Sequence, residues 1–450
     1  MSMKTDHAAY GDAESLVNLH HLRVFCDVAA SGGVRRSAES LFRASSAITR
    51  AIGRLEESLD IQLFERKGTG MLLTAAGETV RMRALRIEDE LNTIRAEARA
   101  LHPSFGRVAT TTSSLFQTRK LMMAVMLADI HHMPTVAHLL GVTQPAVSAA
   151  IASLEAGLGR RLFERAPHGM VPTAPGAPWL RRFKRVLAEL RHIRADIAAL
   201  RGDLEGIITV GALPLVRTLL LPRAIANVLA RHPRVRIRTL ESPYEDLCAD
   251  LLCADVDFIL GAMRPLQDAT LQTRVLFEEN LVLIARAGHP LSRKRQIGFT
   301  DLLRYPWVVS REWSPLRKQL NAFFTSHGHP LPIPSVETAD LALLRGLLLD
   351  TDMLTVLSEH QLHHEFSTGK LVALNSPMDG LTRQIGVTTR TGAQLSPGAL
   401  ALLREVEILA APIAALPLDQ SPDPAQLWGD PINKLDRPAR TKATTGHLRS

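Results

Sequence analysis

Cysteine is scarce in this chain. Cys26, Cys248 and Cys253 are too few and too scattered for a disulfide framework or a zinc site. Cys248 and Cys253, five apart in an apolar helical stretch, read as core. The His pairs His20-His21, His131-His132 and His363-His364 lack ligand partners at useful spacing, so no metal and no other cofactor is expected. Long apolar runs are missing too. Stretches such as Leu121 to Ala128 fall far short of a membrane span, so no membrane partner is expected. Met1 to Ala13 is polar and has no apolar core, which speaks against a signal peptide and for the reducing cytoplasm. No nucleophile elbow, Gly-rich phosphate loop or paired-carboxylate motif is present, so an enzyme is not expected. The charge balance, 53 Lys+Arg against 45 Asp+Glu, suits nucleic acid but is a weak indicator alone.

What the chain does contain is the same segment twice. Leu63-Phe64-Glu65-Arg66 recurs as Leu162-Phe163-Glu164-Arg165, 99 residues later. At that offset the match runs ungapped from Leu22 to Gly77, with 19 identities in 56 positions. Two copies make a duplicated module and not a solenoid. Within the second copy, Ala137, Leu140, Val147, Ile151, Leu154 and Leu158 form an apolar stripe at helical spacing. Gly141-Val142-Thr143-Gln144-Pro145 interrupts it as a tight turn, with Thr143 a good N-cap and Pro145 in the first helical turn. Two short helices across such a turn describe a helix-turn-helix, whose second helix enters the DNA major groove. The segment through Pro167-His168-Gly169 then reads as a hairpin wing, with Lys67-Gly68-Thr69-Gly70 at the matching tip in copy one.

Beyond the wing the repeat continues. Val80, Ala84, Ile87, Leu91, Ile94, Ala98 and Leu101 are spaced as a heptad seam, and Trp179, Phe183, Val186, Leu190, Ile193, Ile197 and Leu200 keep that spacing. Each seam is either a helix lying on its own domain or a dimerisation arm. If the arms pair, Trp179 and Phe183 opposite Val80 and Ala84 let one large and one small residue share a layer. The pairing is open to formation within one chain or between chains. Either way at least a dimer with four modules is expected.

The second copy resembles the DNA-binding module of LysR-type transcriptional regulators. The residues that carry this are Ala137-His138-Leu139-Leu140, Gln144-Pro145-Ala146-Val147-Ser148, Ile151-Ala152-Ser153-Leu154-Glu155, Leu162-Phe163-Glu164-Arg165 and Thr173. Copy one departs from the pattern, with Ser45-Ser46-Ala47-Ile48-Thr49 in place of the Gln-Pro-Ala-x-Ser run. The family normally has one module per chain, so which copy reads DNA is left open. Candidate DNA-contacting residues are Thr143, Gln144, Pro145, Ser148, Arg165 and His168 in copy two. In copy one they are Ser45, Ser46, Thr49, Arg50, Arg54, Arg66 and Lys67, where Arg35, Arg36 and Arg43 add further positive charge.

From Glu205 strands and helices alternate: Gly206–Gly211, a helix over Leu219–Arg231, Val235–Leu240, a helix over Tyr244–Leu252, Val256–Gly261. That order predicts a parallel α/β sheet. Strands are also expected at Leu281–Ala285, Trp307–Val309, Met353–Leu357 and Gln384–Thr389, with helices near Thr300, over Pro315–His327 and over Asp340–Leu349. His289-Pro290-Leu291, Gly369-Lys370-Leu371 and Ile385-Gly386-Val387 resemble the effector half of the same family, two lobes like those of periplasmic solute-binding proteins. Ser314-Pro315-Leu316-Arg317, Glu337-Thr338 and Leu213-Pro214 look most like the branch of sugar-binding-protein and protocatechuate regulators. Ligands of open sheets bind at the carboxyl ends of strands. Leu213, Pro214, Arg217, Gly261, Arg264, Arg311, Ser314 and Thr338 are therefore candidate effector contacts. The three arginines are read either as a clamp for a carboxylate or as partners of nearby acids.

The expected architecture is an α-rich N-terminal part followed by an α/β effector domain. The first winged helix-turn-helix spans 20–75 with its linker helix at 76–102. The second spans 118–173 with its linker helix at 174–202. The effector domain covers 205–415, with lobe I at 205–280 and 384–412 and lobe II at 281–383, and a disordered basic tail fills 416–450. The resemblance implies a sequence-specific transcriptional regulator that binds double-stranded DNA, responds to a small organic acid or sugar and forms dimers or tetramers. RNA polymerase is a further candidate partner.

Overall fold

The computed structural model describes residues 16–34, 44–67, 70–101, 115–266, 268–378 and 380–415. Arg35, Arg36, Ala38, Leu41, Arg43, the Gly68-Thr69 tip and the tail from 416 lie outside these residues, as do the side chains of Arg66 and Lys67.

Among the described residues, the two N-terminal copies share a first helix, the helix before the hairpin, the hairpin itself and a long helix. Helices α1 (Leu19–Ser31) and α2 (Ser45–Leu59) precede a hairpin of β1 (Phe64–Lys67) and β2 (Gly70–Leu73), then the long helix α3 (Ala75–Leu101). Helices α4 (Thr118–Ile130), α5 (Met133–Leu139) and α6 (Gln144–Leu158) precede the hairpin β3 (Phe163–Ala166) and β4 (Gly169–Pro172), then α7 (Ala177–Leu200). Identities between the copies make equivalent bonds. Glu56 Oε1 accepts the amides of Leu63 and Phe64 at 2.7 and 3.2 Å; Glu155 Oε1 accepts those of Leu162 and Phe163 at 2.7 and 3.1 Å. Thr74 Oγ1 donates to Gln62 O at 2.8 Å and accepts from Gly77 N at 3.0 Å; Thr173 Oγ1 does the same with Arg161 O at 2.9 Å and Gly176 N at 3.0 Å. Gly77 and Gly176 allow each long helix to start close beneath its hairpin. A Cβ there would stand 2.1 Å from Leu63 O and 2.7 Å from Leu162 O.

The two long helices pack on each other within the chain. Val80, Ala84, Ile87, Leu91, Ile94 and Ala98 are buried, and so are Trp179, Phe183, Val186, Leu190, Ile193 and Ile197, in one apolar core that serves both copies. Early α3 meets late α7 through Arg83 and Asp196, and late α3 meets early α7 through Glu97 and Trp179, so the pair is antiparallel. Trp179 Nε1 donates to Glu97 at 2.6 Å, at the far end of α3 from Val80. The expected sharing of a layer by Trp179 and Val80 therefore does not occur.

The charged contacts of this pair are reciprocal. Arg83 binds Glu189 (2.8 Å) and Asp196 (2.7 Å); its equivalent Arg182 binds Glu90 (2.8 Å) and Glu97 (3.4 Å), the equivalents of those acids. Arg86 binds Glu189 at 3.0 Å and Arg185 binds Glu90 at 2.6 Å. Leu19 N donates to Thr118 Oγ1 at 3.0 Å, and these two positions are themselves equivalent. When i meets j and the copy of i meets the copy of j, the interface is isologous and has two-fold character.

The C-terminal half forms two lobes. Lobe I holds β5 (Gly206–Ala212), α8 (Leu220–Arg231), β6 (Val235–Leu240), α9 (Tyr244–Cys253), β7 (Phe258–Ala262), β8 (Leu271–Asn280), the returning β14 (Thr382–Arg390) and α14 (Pro397–Ala414). Between β8 and β14 lies lobe II, with β9 (Val282–Arg286), α10 (Phe299–Leu302), β10 (Trp307–Val309), α11 (Pro315–Ser326), β11 (Pro334–Glu337), α12 (Leu341–Asp350), β12 (Thr355–Leu357), α13 (His363–Ser367) and β13 (Leu371–Ala373). The lobe I sheet has the order β6-β5-β7-β14-β8. β5 is parallel to β6 and β7, but β14 is antiparallel to β7 and β8. The parallel arrangement expected for the run from Gly206 to Gly261 is the one that β5, β6 and β7 adopt. A strand returning from lobe II enters the sheet from the opposite end and must run against the others. In lobe II, β9 pairs antiparallel with both β12 and β13, while β10 and β11 are parallel. The two lobe crossings lie side by side, with Leu281 N donating to Leu381 O at 2.8 Å.

The crossings are knit by a buried cluster. Glu279 accepts from Arg383 Nε and Ser358 Oγ, both at 2.6 Å, and Arg383 donates to Gln361 at 2.9 Å. Lobe I also docks on the helix pair. Arg83 donates to Gln394 O (2.6 Å) and Leu395 O (3.1 Å), and Arg185 donates to Leu252 O at 3.2 Å.

Candidate functional site

In copy two, α5 and α6 meet at 107°, within the range of helix-turn-helix pairs. Thr143 caps α6, its side chain accepting from Ala146 N, and Pro145 occupies the first turn without loss of a bond. Val147, Ile151, Leu154 and Leu158 face the core, which leaves Thr143, Gln144, Pro145 and Ser148 exposed along the opposite edge of the helix start. Arg165 and His168, on and beside the hairpin, are exposed as well. The hairpin is fixed to the end of α4, where Met170 N donates to His131 O at 2.8 Å.

In copy one, Ser45, Ser46, Thr49, Arg50 and Arg54 line the exposed side of α2. Its start is less well secured, because Ala44 supplies no side-chain cap. Thr49 Oγ1 donates back to Ser45 O at 3.0 Å and Arg50 Nε to Ser46 O at 3.4 Å. Arg66 and Lys67 lie on β1.

The candidate effector contacts fall into two groups, one in each lobe. In lobe I, Gly261 holds φ +148°, and a Cβ there would stand 2.4 Å from that of Leu213; only glycine permits this approach. Pro214 opens a 3₁₀ turn ending at Arg217, whose side chain is exposed. In lobe II, Ser310 and Ser314 hydroxyls share a hydrogen bond of 2.7 Å, and Thr338 N donates to Val309 O at 2.9 Å. The lobes touch where Thr218 Oγ1 donates to His360 O at 3.3 Å. The three arginines have separate surroundings. Arg264 stacks on Tyr244 at 4.8 Å and reaches Glu245 at 3.4 Å, while its Nε is buried without a hydrogen-bond partner among the described residues. Arg311 is exposed beside Trp313. Of the alternatives left open for these residues, pairing with a nearby acid describes Arg264. Arg317, read in the sequence only as part of the Ser314-Pro315-Leu316-Arg317 run, has fixed surroundings. It is buried on α11 against Asn321 (2.9 Å) and Glu337 (3.4 Å), one turn beyond Ser314.

Two family models match the chain. Residues 201–409 match the LysR substrate binding domain, and residues 19–78 and 118–177 each match the bacterial regulatory helix-turn-helix protein of the lysR family. The chain belongs to the LysR family of transcriptional regulators. It is 43% identical over 390 residues to the HTH-type transcriptional regulator GalR of Pseudomonas putida, which covers 86% of this chain and 96% of that one. An alignment of 390 residues cannot fall wholly beyond residue 78, so it runs into the first matched stretch. The HTH-type transcriptional regulator PcaQ of Agrobacterium fabrum is 28% identical over 262 residues, 58% of this chain and 84% of that one. The solved structure of full-length OxyR from Pseudomonas aeruginosa shares the fold, with a TM-score of 0.51 and 23% identity over 68% of this chain and 99% of that one. As a LysR-family member this chain is a DNA-binding transcriptional regulator with an effector-binding domain, and its relatives are named regulators, not enzymes. Among the described residues no single helix is long and apolar enough to cross a membrane.

Proposed function

We propose that this LysR-family regulator carries two winged helix-turn-helix modules, each with a coiled-coil arm, and that they divide the work on DNA. Copy two reads bases. Gln144 and Ser148 stand exposed at the start of α6, and Gln144 presents an amide able to bind adenine at two points. Arg165 and His168 on its wing, with Arg50, Arg54, Arg66 and Lys67 of copy one, hold phosphates and set position. The observation that carries this reading is the α5–α6 pair, whose 107° crossing points an uncharged polar edge outward from a closed apolar core.

An effector settles between the lobes at the strand ends, near Leu213, Gly261, Ser314 and Thr338. The buried unpartnered Nε of Arg264 favours an acceptor on the ligand, as a small organic acid or a sugar provides. Further association of chains, in the cytoplasm, rests on the α/β half, since the arm seams from Val80 to Ala98 and from Trp179 to Ile197 are buried within one chain.

The test is a footprint on the DNA upstream of its own gene with Gln144→Ala and Ser148→Ala variants. Removing one good base contact is expected to weaken specific binding by about 1–3 kcal/mol. Unchanged footprints from both variants would move the reading role away from α6.

A further inference from the structure

We infer that one chain is a closed, two-headed DNA reader: a single copy occupies two adjacent half-sites, one read stringently and one loosely. This rests on the functional reading above and on the helix pair. Two-headed readers are commonly built by joining two identical chains across a two-fold axis. Here that axis lies inside one chain. The ion pairs of Arg83 and Arg86 with copy-two acids are mirrored by those of Arg182 and Arg185 with copy-one acids, and Leu19 meets its own equivalent, Thr118. Each contact is satisfied intramolecularly, and the seams are buried from Val80 to Ala98 and from Trp179 to Ile197. Among the described seam residues only Leu200, at the very end of its arm, is left exposed to a second chain.

The two heads differ. The copy-two helix offers Gln144 and Ser148 to base edges, whereas the copy-one helix offers Ser45 and Ser46, a Thr49 hydroxyl already committed to Ser45 O, and Arg50. The matching DNA is therefore a duplex with one half of defined sequence beside one tolerant half.

The probe is a duplex enriched from a random pool by the full-length protein, shortened to the smallest length that keeps binding. Titration under stoichiometric conditions is expected to reach equivalence at one chain per duplex, whether or not chains also associate through their α/β halves. Equivalence at two chains per duplex overturns the inference while leaving the regulator reading intact. Failure to enrich any duplex overturns both. Scrambling the stringent half is expected to cost roughly 5- to 150-fold for each base interaction it abolishes, and scrambling the other half far less; equal losses overturn the asymmetry. Glu90→Arg, which places a third cation beside Arg182 and Arg185, should uncouple the heads. Affinity then falls by about 10²- to 10⁴-fold as the linkage advantage disappears, with part regained on adding Arg182→Glu. An unchanged affinity for Glu90→Arg counts against the two-headed reader, and the wild-type titration decides the matter even if that variant folds poorly.

Discussion

Arg83 and Arg182 occupy equivalent positions, yet replacing them with methionine should have very unequal effects. The Arg83 side chain is 1% exposed, and its partners Glu189 and Asp196 are each 7% exposed. It also donates to Gln394 O and Leu395 O of lobe I. Removing the guanidinium leaves two buried carboxylates with reduced compensation and two carbonyls short of a donor. Burial already pushes Asp196 up from the ordinary carboxylate range despite Arg83 beside it. Breaking a buried pair on one side costs about 3–5 kcal/mol. Arg182 is 24% exposed, its partner Glu97 is 44% exposed, and Glu90 keeps Arg185 at 2.6 Å, so Arg182→Met should cost about 1 kcal/mol or less. Several cores make whole-chain unfolding a poor two-state measure, so the readout is hydrogen exchange of peptides from α3 and α7. Arg83→Met should speed their exchange by roughly two to nearly four orders of magnitude, and Arg182→Met by less than about tenfold. Equal effects at the two sites would refute the claim that lobe I makes one member of the pair more deeply buried than the other.

Further tests address the hairpin, the docking contact and pH. Gly77→Ala should destabilise copy one by about 1–3 kcal/mol, because its Cβ meets Leu63 O. Gly53→Ala, with nothing within 4 Å on the exposed side of α2, should stabilise it by about 0.5–1 kcal/mol, read from the exchange protection of α2 amides. Lys184 bridges Asp129 (2.7 Å) and Asp255 (2.6 Å). Lys184→Met should therefore loosen exchange at residues 129–131 and 250–257, whereas Leu85→Met at the equivalent exposed position should change nothing. Burial lifts Asp257 from 3.8 to about 6, outweighing the bond from Thr209 N, and the pKa of His192, 3.8 Å away, is held well below its usual value so that no counter-charge stands there. The folded form binds this proton more tightly than the unfolded form. The resulting stabilisation is complete below pH 3.8 and is lost as pH rises through about 6. Protection of β5 and β7 amides, corrected for the intrinsic pH dependence of exchange, should rise by a free energy on the order of 3 kcal/mol from pH 7 to pH 4, a gain that Asp257→Asn lacks.

Much of this fold was legible because apolar periodicity is a local property. Trp307–Val309 and Val235–Leu240 fall where the alternation placed them, and most helices agree to within one or two residues. The failures have tertiary causes. Leu271–Asn280 is polar and irregular in alternation because β8 is an edge strand, half of it facing solvent. β11 opens on Pro334 and is only four residues long, too short to show a period. The direction of β14 depends on where the chain has been, which no local pattern encodes. Among site residues, exposure of Gln144 and Ser148 follows from the stripe opposite them. The destination of Arg264 does not, since Tyr244 and Glu245 reach it from another element. Charges flanking a heptad seam do not by their spacing reveal that they are buried, as Arg83, Glu189 and Asp196 are. A signal was nevertheless there: Arg83, Arg86 and Glu90 recur unchanged as Arg182, Arg185 and Glu189, a charge pattern duplicated along with the seam.

A two-fold pair with a single effector half cannot stay symmetric, and the departures show where the half is attached. At the position of Lys184, copy one has Leu85; at the position of Asp129, it has Ala30. Leu85 is exposed, whereas Lys184 is tied to the end of α4 on one side and to Asp255 of lobe I on the other. Asp255 leads into β7, whose far end carries Gly261, and Asp129 lies two residues from His131, which anchors the copy-two hairpin. A short polar path through Lys184 thus joins β7 of lobe I to the module whose α6 presents Gln144. The matching residues of copy one offer no such bridge. Its arm is held instead through Arg83 to the backbone at Gln394 and Leu395, and through Arg86 to Gly392 O. Both arms donate to backbone carbonyls of lobe I, Arg185 to Leu252 O and Arg83 to Gln394 O and Leu395 O, but only copy two adds a side-chain ion pair, so a shift of β7 on ligand binding would reach the two modules by different contacts. The repeat is thus near-symmetric in the pairing of its two long helices and unequal where each copy meets lobe I.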